Sequence, residues 1–236
     1  MQAQRKGKKF FSVLIDPDKF NIEVIHEANE AKVDFIFIGG SGLKKDRFLK
    51  CVNIVKRNSQ IPLVIFPGGK EQISDNADGI LLLSLISGRN PDYLIGEHIR
   101  AAKQLRRSKL EIIPTGYILV NGGKKIATQK VSRTKPIGYS DNDLAASTAI
   151  AGELLGMQLI YLEAGSGAKR SANKKMISNI KKNISIPLIV GGGITSAKTA
   201  LACCKAGADM IVVGNAIEKD ISLVKKISNT IYSMKK

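Results

Sequence analysis

Tryptophan is missing from the chain, and phenylalanine and tyrosine bring the aromatic share to only 5%. Proteins that bind RNA strands stack bases on aromatic side chains set among basic ones. No segment of that kind is visible, so nucleic acid is set aside as a partner. The three cysteines, Cys51, Cys203 and Cys204, form no CxxC pair, and the adjacent two are badly spaced for zinc. Without a disulfide framework, a reducing, cytoplasmic compartment is expected. The two histidines, His26 and His98, both fall in helical stretches. Neither a Ser-His-Asp arrangement nor a zinc site can be assembled from them. No apolar run reaches the roughly 18 residues of a membrane helix. Met1–Lys9 is basic, but the apolar run that follows, Phe10–Ile15, is too short and wrongly flanked for a signal peptide.

Lysine, by contrast, is plentiful. Lys and Arg number 37 against 20 Asp and Glu, a formal charge of +17. Anionic substrates or an anionic membrane surface suit such a balance. The lysines scatter along the whole chain, so solvated helix faces account for much of it. Hydrophobic residues make up 44% of 236 residues, enough for a large core. One TIM barrel takes about 250 residues, and a single domain over residues 1–236 is expected.

Short β-branched apolar runs alternate with longer amphipathic stretches. Strands are expected at Phe11–Ile15, Phe35–Ile38, Leu63–Phe66, Gly79–Leu83, Glu111–Val120, Leu159–Leu162, Leu188–Val190 and Met210–Val213. Their near-continuous apolar character suits parallel strands covered by helices. Helical patterns span Ile22–Ala31, Lys44–Arg57, Asp92–Arg107, Asp143–Gly156, Asn173–Lys182, Ala197–Ala206 and Ile217–Met234. Between Phe66 and Gly79 there is little room for a helix, and Gly68, Gly69 and Asp75-Asn76 read as turns. Asn121–Asp141 is a long polar connection, the kind that often carries function. Eight such units close as a (β/α)₈ barrel, modified around its third helix. An open doubly wound sheet is the other arrangement, but no GxGxxG follows the first strand.

Two glycine-rich turns follow successive strands: Gly191-Gly192-Gly193-Ile194-Thr195, and Gly214-Asn215-Ala216 after Val213. Glycines let backbone N–H groups approach a phosphate, and barrels often bind phosphate after strands seven and eight. One such turn would read as a plain tight turn; two in succession point to phosphate.

At the other strand ends stand oxygen donors. Asp16-Pro17-Asp18-Lys19 closes the first strand. Asp16 would point into the mouth, where a carboxylate suits Mg²⁺, which takes one or two protein oxygens. Asp18 is assigned the helix cap. Ser41, in Gly39-Gly40-Ser41-Gly42, reads equally as a hydroxyl ligand or a cap. Tyr161-Leu162-Glu163-Ala164-Gly165-Ser166-Gly167 ends the sixth strand, and Glu163 there could orient or deprotonate a substrate hydroxyl.

Together these motifs resemble the geranylgeranylglyceryl phosphate synthases, over about Phe10 to Lys219. The likeness rests on Asp16–Lys19, Gly39–Ser41, Ile118–Asn121, Tyr161–Gly167, Gly191–Ile194 and Gly214-Asn215. Ser84-Leu85-Ile86-Ser87-Gly88-Arg89-Asn90-Pro91 is similar to the family's second, larger-oligomer branch. The resemblance implies transfer of a geranylgeranyl group from its diphosphate to the 3-hydroxyl of sn-glycerol 1-phosphate, with release of diphosphate. It implies Mg²⁺ on Asp16 and Ser41. It implies glycerol 1-phosphate held by Tyr161, Leu162, Glu163, Ala164, Gly165, Ser166, Gly167, Gly192, Gly193, Gly214 and Asn215, with Glu163 catalytic. It also implies a barrel lacking an ordinary third helix and a homo-oligomer, dimer or hexamer, touching the membrane peripherally to deliver a lipid. Many members carry Lys two residues before the metal aspartate; Leu14 stands there in this chain.

The prenyl chain needs an apolar groove, which Leu81–Ile86 and Ile118–Val120 are expected to line. The metal and glycerol phosphate sites are expected at opposite sides of the mouth. Two other readings stay open. A sugar-phosphate isomerase or synthase would share the second half of the chain but needs an acid/base pair, and Asn121 on the fifth strand offers none. A non-catalytic binder with basic surfaces is the other.

Overall fold

The structure, a computed structural model, describes residues 7–125 and 127–235. The basic stretch expected at Met1–Lys9 lies outside them up to Lys6.

All eight expected strands form, and they close in order into one parallel barrel, β1 to β8. They are β1 (Phe10–Ile15), β2 (Phe35–Ile38), β3 (Leu63–Ile65), β4 (Gly79–Ser84), β5 (Glu111–Leu119), β6 (Leu159–Glu163), β7 (Leu188–Gly191) and β8 (Met210–Val213). Helices α1 (Glu23–Glu30), α2 (Lys45–Asn58), α3 (Glu97–Arg107), α4 (Ala127–Ser132), α5 (Asn142–Leu154), α6 (Lys174–Asn183), α7 (Ala197–Ala206), α8 (Asn215–Lys219) and α9 (Leu223–Tyr232) lie between and after them. Where a third helix would stand, between β3 and β4, the chain makes only turns.

Strand alternation divides the apolar residues into two cores. Phe11, Val13, Ile36, Ile38, Ile118, Ile160, Leu162, Ile211 and Val213 face the helices. Phe37, Val64, Leu81, Tyr117, Leu119, Tyr161, Ile189 and Val212 fill the barrel. Leu14 belongs with this inner group, so Asp16, two residues on, also points inward. The same parity carries Glu163 inward from Tyr161.

Three expectations need correction. Ile217–Met234 is not one helix: α8 ends at Lys219 and α9 begins at Leu223. Asp220 causes the break. Its carboxylate accepts the Ser222 N–H at 3.1 Å and the Ser222 hydroxyl at 2.5 Å, a local turn that outcompetes helix. Asp92–Arg107 opens with a π-type turn, Asp92–Gly96, before becoming α-helical. The cap assignment on the first strand is reversed: the Asp16 carboxylate accepts the Asp18 N–H at 3.0 Å and caps the 3₁₀ turn Pro17–Lys19. The Asp18 carboxylate instead pairs with Arg47.

Candidate active site

Two hollows open at the C-terminal mouth of the barrel. The first, of about 280 Å³, is lined by the ends of β1, β2, β6, β7 and β8. Asp16, Ser41, Tyr161, Glu163, Gly165, Ser166, Gly167, Gly192, Gly193, Gly214 and Asn215 all border it. Leu162 and Ala164, in the same expected set, do not: their side chains pack outward against the helices. Ser41 precedes α2 without capping it, since the cap position is Lys44.

Glu163 sits at the floor, 7% exposed. Its Oε1 accepts the Gly165 N–H at 2.5 Å. Burial pushes its carboxyl up to about 7, against the smaller opposing pull of the Gly165 N–H and Tyr161 hydroxyl. The Tyr161 hydroxyl is itself buried and lacks a partner at full hydrogen-bond geometry, although it lies close enough to the carboxylate to influence it. Burial, then the Glu163 charge, keeps this phenol well above its ordinary range, so it remains a donor. A carboxyl balanced near neutrality beside an unspent donor is suited to holding a hydroxyl and taking its proton.

The turn after β7 shapes the cavity wall. Gly192 has φ +76°, and a Cβ there would run into the Glu163 carboxylate and the Gly165 backbone. Gly193 has φ +65°, and a Cβ there would meet the backbone of Arg170 and Ser171. Both glycines are thus required by close packing of the β6 and β7 loops, in addition to any approach by a ligand. Gly214 differs, with φ −120°, and owes nothing to left-handed backbone.

The metal candidate and the phosphate candidate are not across the mouth from one another. Closure pairs β1 with β8, so the expectation of opposite sides fails on topology. Lys19 Nζ lies 3.9 Å from Asp16 and 3.0 Å from Glu218 on α8. Among the described residues no cluster of three or more His, Cys, Asp or Glu forms a metal centre. Asp16 and Ser41 on one cavity edge offer one carboxylate and one hydroxyl, hard oxygen donors suited to Mg²⁺ with its remaining positions left to water and phosphate.

The second hollow, a cleft of about 270 Å³, is apolar. It opens where the helix between β3 and β4 is missing, and Leu81, Leu82, Leu83, Leu85 and Tyr93 line it. Thr128 and Val131 of α4, inside the long 121–141 connection, close its far side. The groove expected along Leu81–Ile86 is therefore present, but Ile118–Val120 does not line it. Ile118 and Val120 face the helices and Leu119 the barrel interior; β5 contributes Tyr117 instead. His98 also reaches the cleft, with Nε2 2.9 Å from the Leu83 carbonyl; His26 is exposed. The three thiols are buried, which pushes Cys51 and Cys204 up to about 12 and leaves them unreactive.

Phe66, Tyr117 and Tyr161 pack edge-on and tilted against one another between the hollows, with ring centroids 5.9 Å (Phe66–Tyr117), 5.1 Å (Phe66–Tyr161) and 5.6 Å (Tyr117–Tyr161) apart. Sequence reasoning missed Phe66, Tyr117 and Thr128, which border both hollows. It also missed Gln72, whose buried amide ties the β2 and β3 loops. Gln72 Oε1 accepts from Gly68 at 3.1 Å, and its Nε2 donates to Gly40 at 2.7 Å. Strand parity could have found Tyr117; no local signal marks Gln72.

The fold is a (β/α)₈ barrel with a glycine-walled polar cavity and an adjoining apolar cleft at its C-terminal mouth, the end where barrel enzymes carry their active sites. The sequence pattern of the PcrB family matches residues 3–232, and the chain belongs to that family. It is an enzyme, a prenyltransferase. It is 47% identical to the geranylgeranylglyceryl phosphate synthase of Chitinophaga pinensis, covering 99% of this chain and 94% of the relative. The protein of the same name from Zunongwangia profunda is 50% identical over 92% of this chain and 94% of its own. The crystal structure of (S)-3-O-geranylgeranylglyceryl phosphate synthase from Thermoplasma acidophilum, in complex with sn-glycerol-1-phosphate, superposes with a TM-score of 0.92 at 31% identity, over 98% of this chain and 97% of that one.

Proposed function

We propose that this chain joins geranylgeranyl diphosphate to the 3-hydroxyl of sn-glycerol 1-phosphate, releasing diphosphate. The observation that carries this reading is the shared wall: Gly40, Ser41, Phe66, Tyr117 and Thr128 border both the apolar cleft and the polar cavity. A prenyl chain lying in the cleft would bring its reactive carbon to the place where Glu163 could hold a hydroxyl. The relatives' names and the glycerol phosphate bound in the Thermoplasma enzyme support the same substrates.

The glycine turns after β7 and β8, with Ser166 and Asn215, hold the phosphate of glycerol 1-phosphate and so orient its 3-hydroxyl. Tyr161 and Glu163 aim that hydroxyl. As the C–O bond forms, the bond from the allylic carbon to diphosphate oxygen breaks and the electron pair leaves with diphosphate. Glu163 accepts the hydroxyl proton. Because the carbon is strongly electrophilic, the proton can leave late, and positioning matters more than prior deprotonation. Asp16 and Ser41 would hold Mg²⁺, which neutralises the leaving diphosphate as a Lewis acid. The cleft's leucines and aromatic rings keep water from the developing cation.

The test is direct. The protein is incubated with Mg²⁺, glycerol 1-phosphate and prenyl diphosphates of several lengths, and the organic phase is analysed. A prenylglyceryl phosphate is expected. Isomerised sugar phosphate from a panel of such substrates, with no ether lipid, would replace this reading by the other barrel chemistry.

A further inference from the structure

The polar cavity has a charge problem. Asp16, Glu163 and Glu218 border it, and among the described residues that line it there is no lysine or arginine. A phosphate carrying close to two negative charges must enter a hollow ringed by carboxylates. Backbone N–H groups of the glycine turns favour it, but unscreened acids at this range oppose it.

Glu218 has a specific place in this ring. It follows Asn215 by three residues on α8, so the two side chains share a face. Its Oε2 accepts the Asn215 Nδ2–H at 3.2 Å and the Lys19 ammonium at 3.0 Å. Asn215 Oδ1 in turn accepts the Ser166 hydroxyl. Both ends of the Asn215 amide are thus committed, and its orientation follows from Glu218. Lys19 also lies 3.9 Å from Asp16. Lys19, Glu218, Asn215 and Ser166 form one chain from β1 to the β6 loop, across the seam where the barrel closes.

We infer that Glu218 and Lys19 are positioning residues of the phosphate pocket: Glu218 orients Asn215, and Lys19 neutralises Glu218 so that its carboxylate does not repel the incoming phosphate. This rests on the proposed glycerol 1-phosphate site. Lys19 does not need to touch the ligand. Its side chain is half exposed and Glu218 is 21% exposed, so screening limits the effect to a modest one.

Binding measured by calorimetry with glycerol 1-phosphate alone, without Mg²⁺ or prenyl diphosphate, isolates this pocket from the metal. Lys19→Met should weaken binding about three- to fivefold, in line with an unneutralised carboxylate near a partly exposed site. Glu218→Gln keeps an acceptor for Asn215 and removes the charge, so it should bind as well as wild type or a few-fold tighter. The double variant should return to within about twofold of wild type, because the nearer charge that Lys19 masks is gone and only the more distant Asp16, 3.9 Å from the ammonium, is left uncovered. A purely structural pair would instead weaken binding in both single variants and in the double. Three results overturn the inference: unchanged affinity in Lys19→Met, a double variant as weak as Lys19→Met, or a weakened Glu218→Gln. The second would mean that Lys19 acts on the phosphate itself or by screening Asp16, and not through Glu218. If the wild type fails to bind glycerol 1-phosphate, the functional reading falls first and takes this inference with it.

Discussion

The two hollows at the barrel mouth are built from opposite materials. On the β6–β8 side, glycines remove side chains so that backbone and a few polar groups are all a ligand meets. On the β3–β4 side, a whole helix is removed, and leucines that would have packed against it line a cleft. Both devices make space by leaving something out, but one exposes N–H groups and the other exposes methyl groups. A single residue change should therefore disturb one hollow and leave the other nearly intact, and the partition at Phe66, Tyr117 and Tyr161 is where that independence is tested.

Asp16→Ala should have the largest effect. Prenyl transfer in Mg²⁺ should drop below detection, while calorimetry still finds glycerol 1-phosphate bound within a few-fold of wild type. Near-normal turnover would remove Asp16 from the metal site. Next comes Glu163→Gln, which keeps the shape but cannot accept a proton. A fall in kcat of about 10²–10⁴-fold is expected, the usual worth of positioned proton transfer, with a smaller change in glycerol 1-phosphate affinity. Weak binding with normal saturated turnover would make Glu163 an anchor and place the base elsewhere.

The titration of Glu163 sharpens that test. With its carboxyl raised to about 7, the basic form dominates only above that pH. kcat/KM should rise through about pH 7 in wild type, and this step should vanish in Glu163→Gln, which separates it from the substrate phosphate's own titration near pH 6. Stability moves the other way. The native carboxyl keeps its proton between the unfolded value near 4.5 and about 7, so the unfolded state ionises first. Wild type should lose roughly 3 kcal/mol relative to Glu163→Gln as pH rises through that window, then level off. Paired thermal melts from pH 4 to 8 read it; parallel curves would mean that Glu163 is solvated.

Leu83→Asp attacks the other hollow. A carboxylate among Leu81, Leu85 and Tyr93 should raise KM for the prenyl diphosphate by about 10–100-fold, given a cost of 1–3 kcal/mol for an unpaired polar group, and leave glycerol 1-phosphate affinity unchanged. An equal loss for both substrates would show that the hollows are coupled. Gly193→Val discriminates least between the hollows, because it strikes the fold as well as the site. It should lower glycerol 1-phosphate affinity and the melting temperature together, because its Cβ strikes the Arg170 backbone. Reduced affinity without reduced stability would point to direct approach by phosphate alone.

The barrel was legible because alternation and apolar runs depend on local sequence. Short β-branched apolar runs marked every strand, and in the folded barrel the alternation from Leu14 and Tyr161 turns Asp16 and Glu163 inward. Other features depend on who stands next to whom. In Asp16-Pro17-Asp18 either carboxylate could cap, and only the position of Arg47 draws Asp18 away. The groove on β5 was sought at Ile118–Val120, where near-continuous apolar residues hide the alternation; Tyr117 carries it. Lys19 and Glu218 meet across nearly the full chain, by way of the β1–β8 seam, which no local pattern shows. Gln72 lies in a segment defined by lacking a helix, so no periodicity marked its role.

The central claim is that head and chain occupy separate hollows that meet at one wall. Calorimetric titration of glycerol 1-phosphate into protein saturated with Mg²⁺ and a non-reacting geranylgeranyl thiolodiphosphate tests it most directly. The account predicts simultaneous binding, with glycerol 1-phosphate affinity within about threefold of that for protein without the analogue, since independent sites differ by only a few tenths of a kcal/mol. Mutual exclusion, with no heat of glycerol 1-phosphate binding once the analogue is bound, would contradict it.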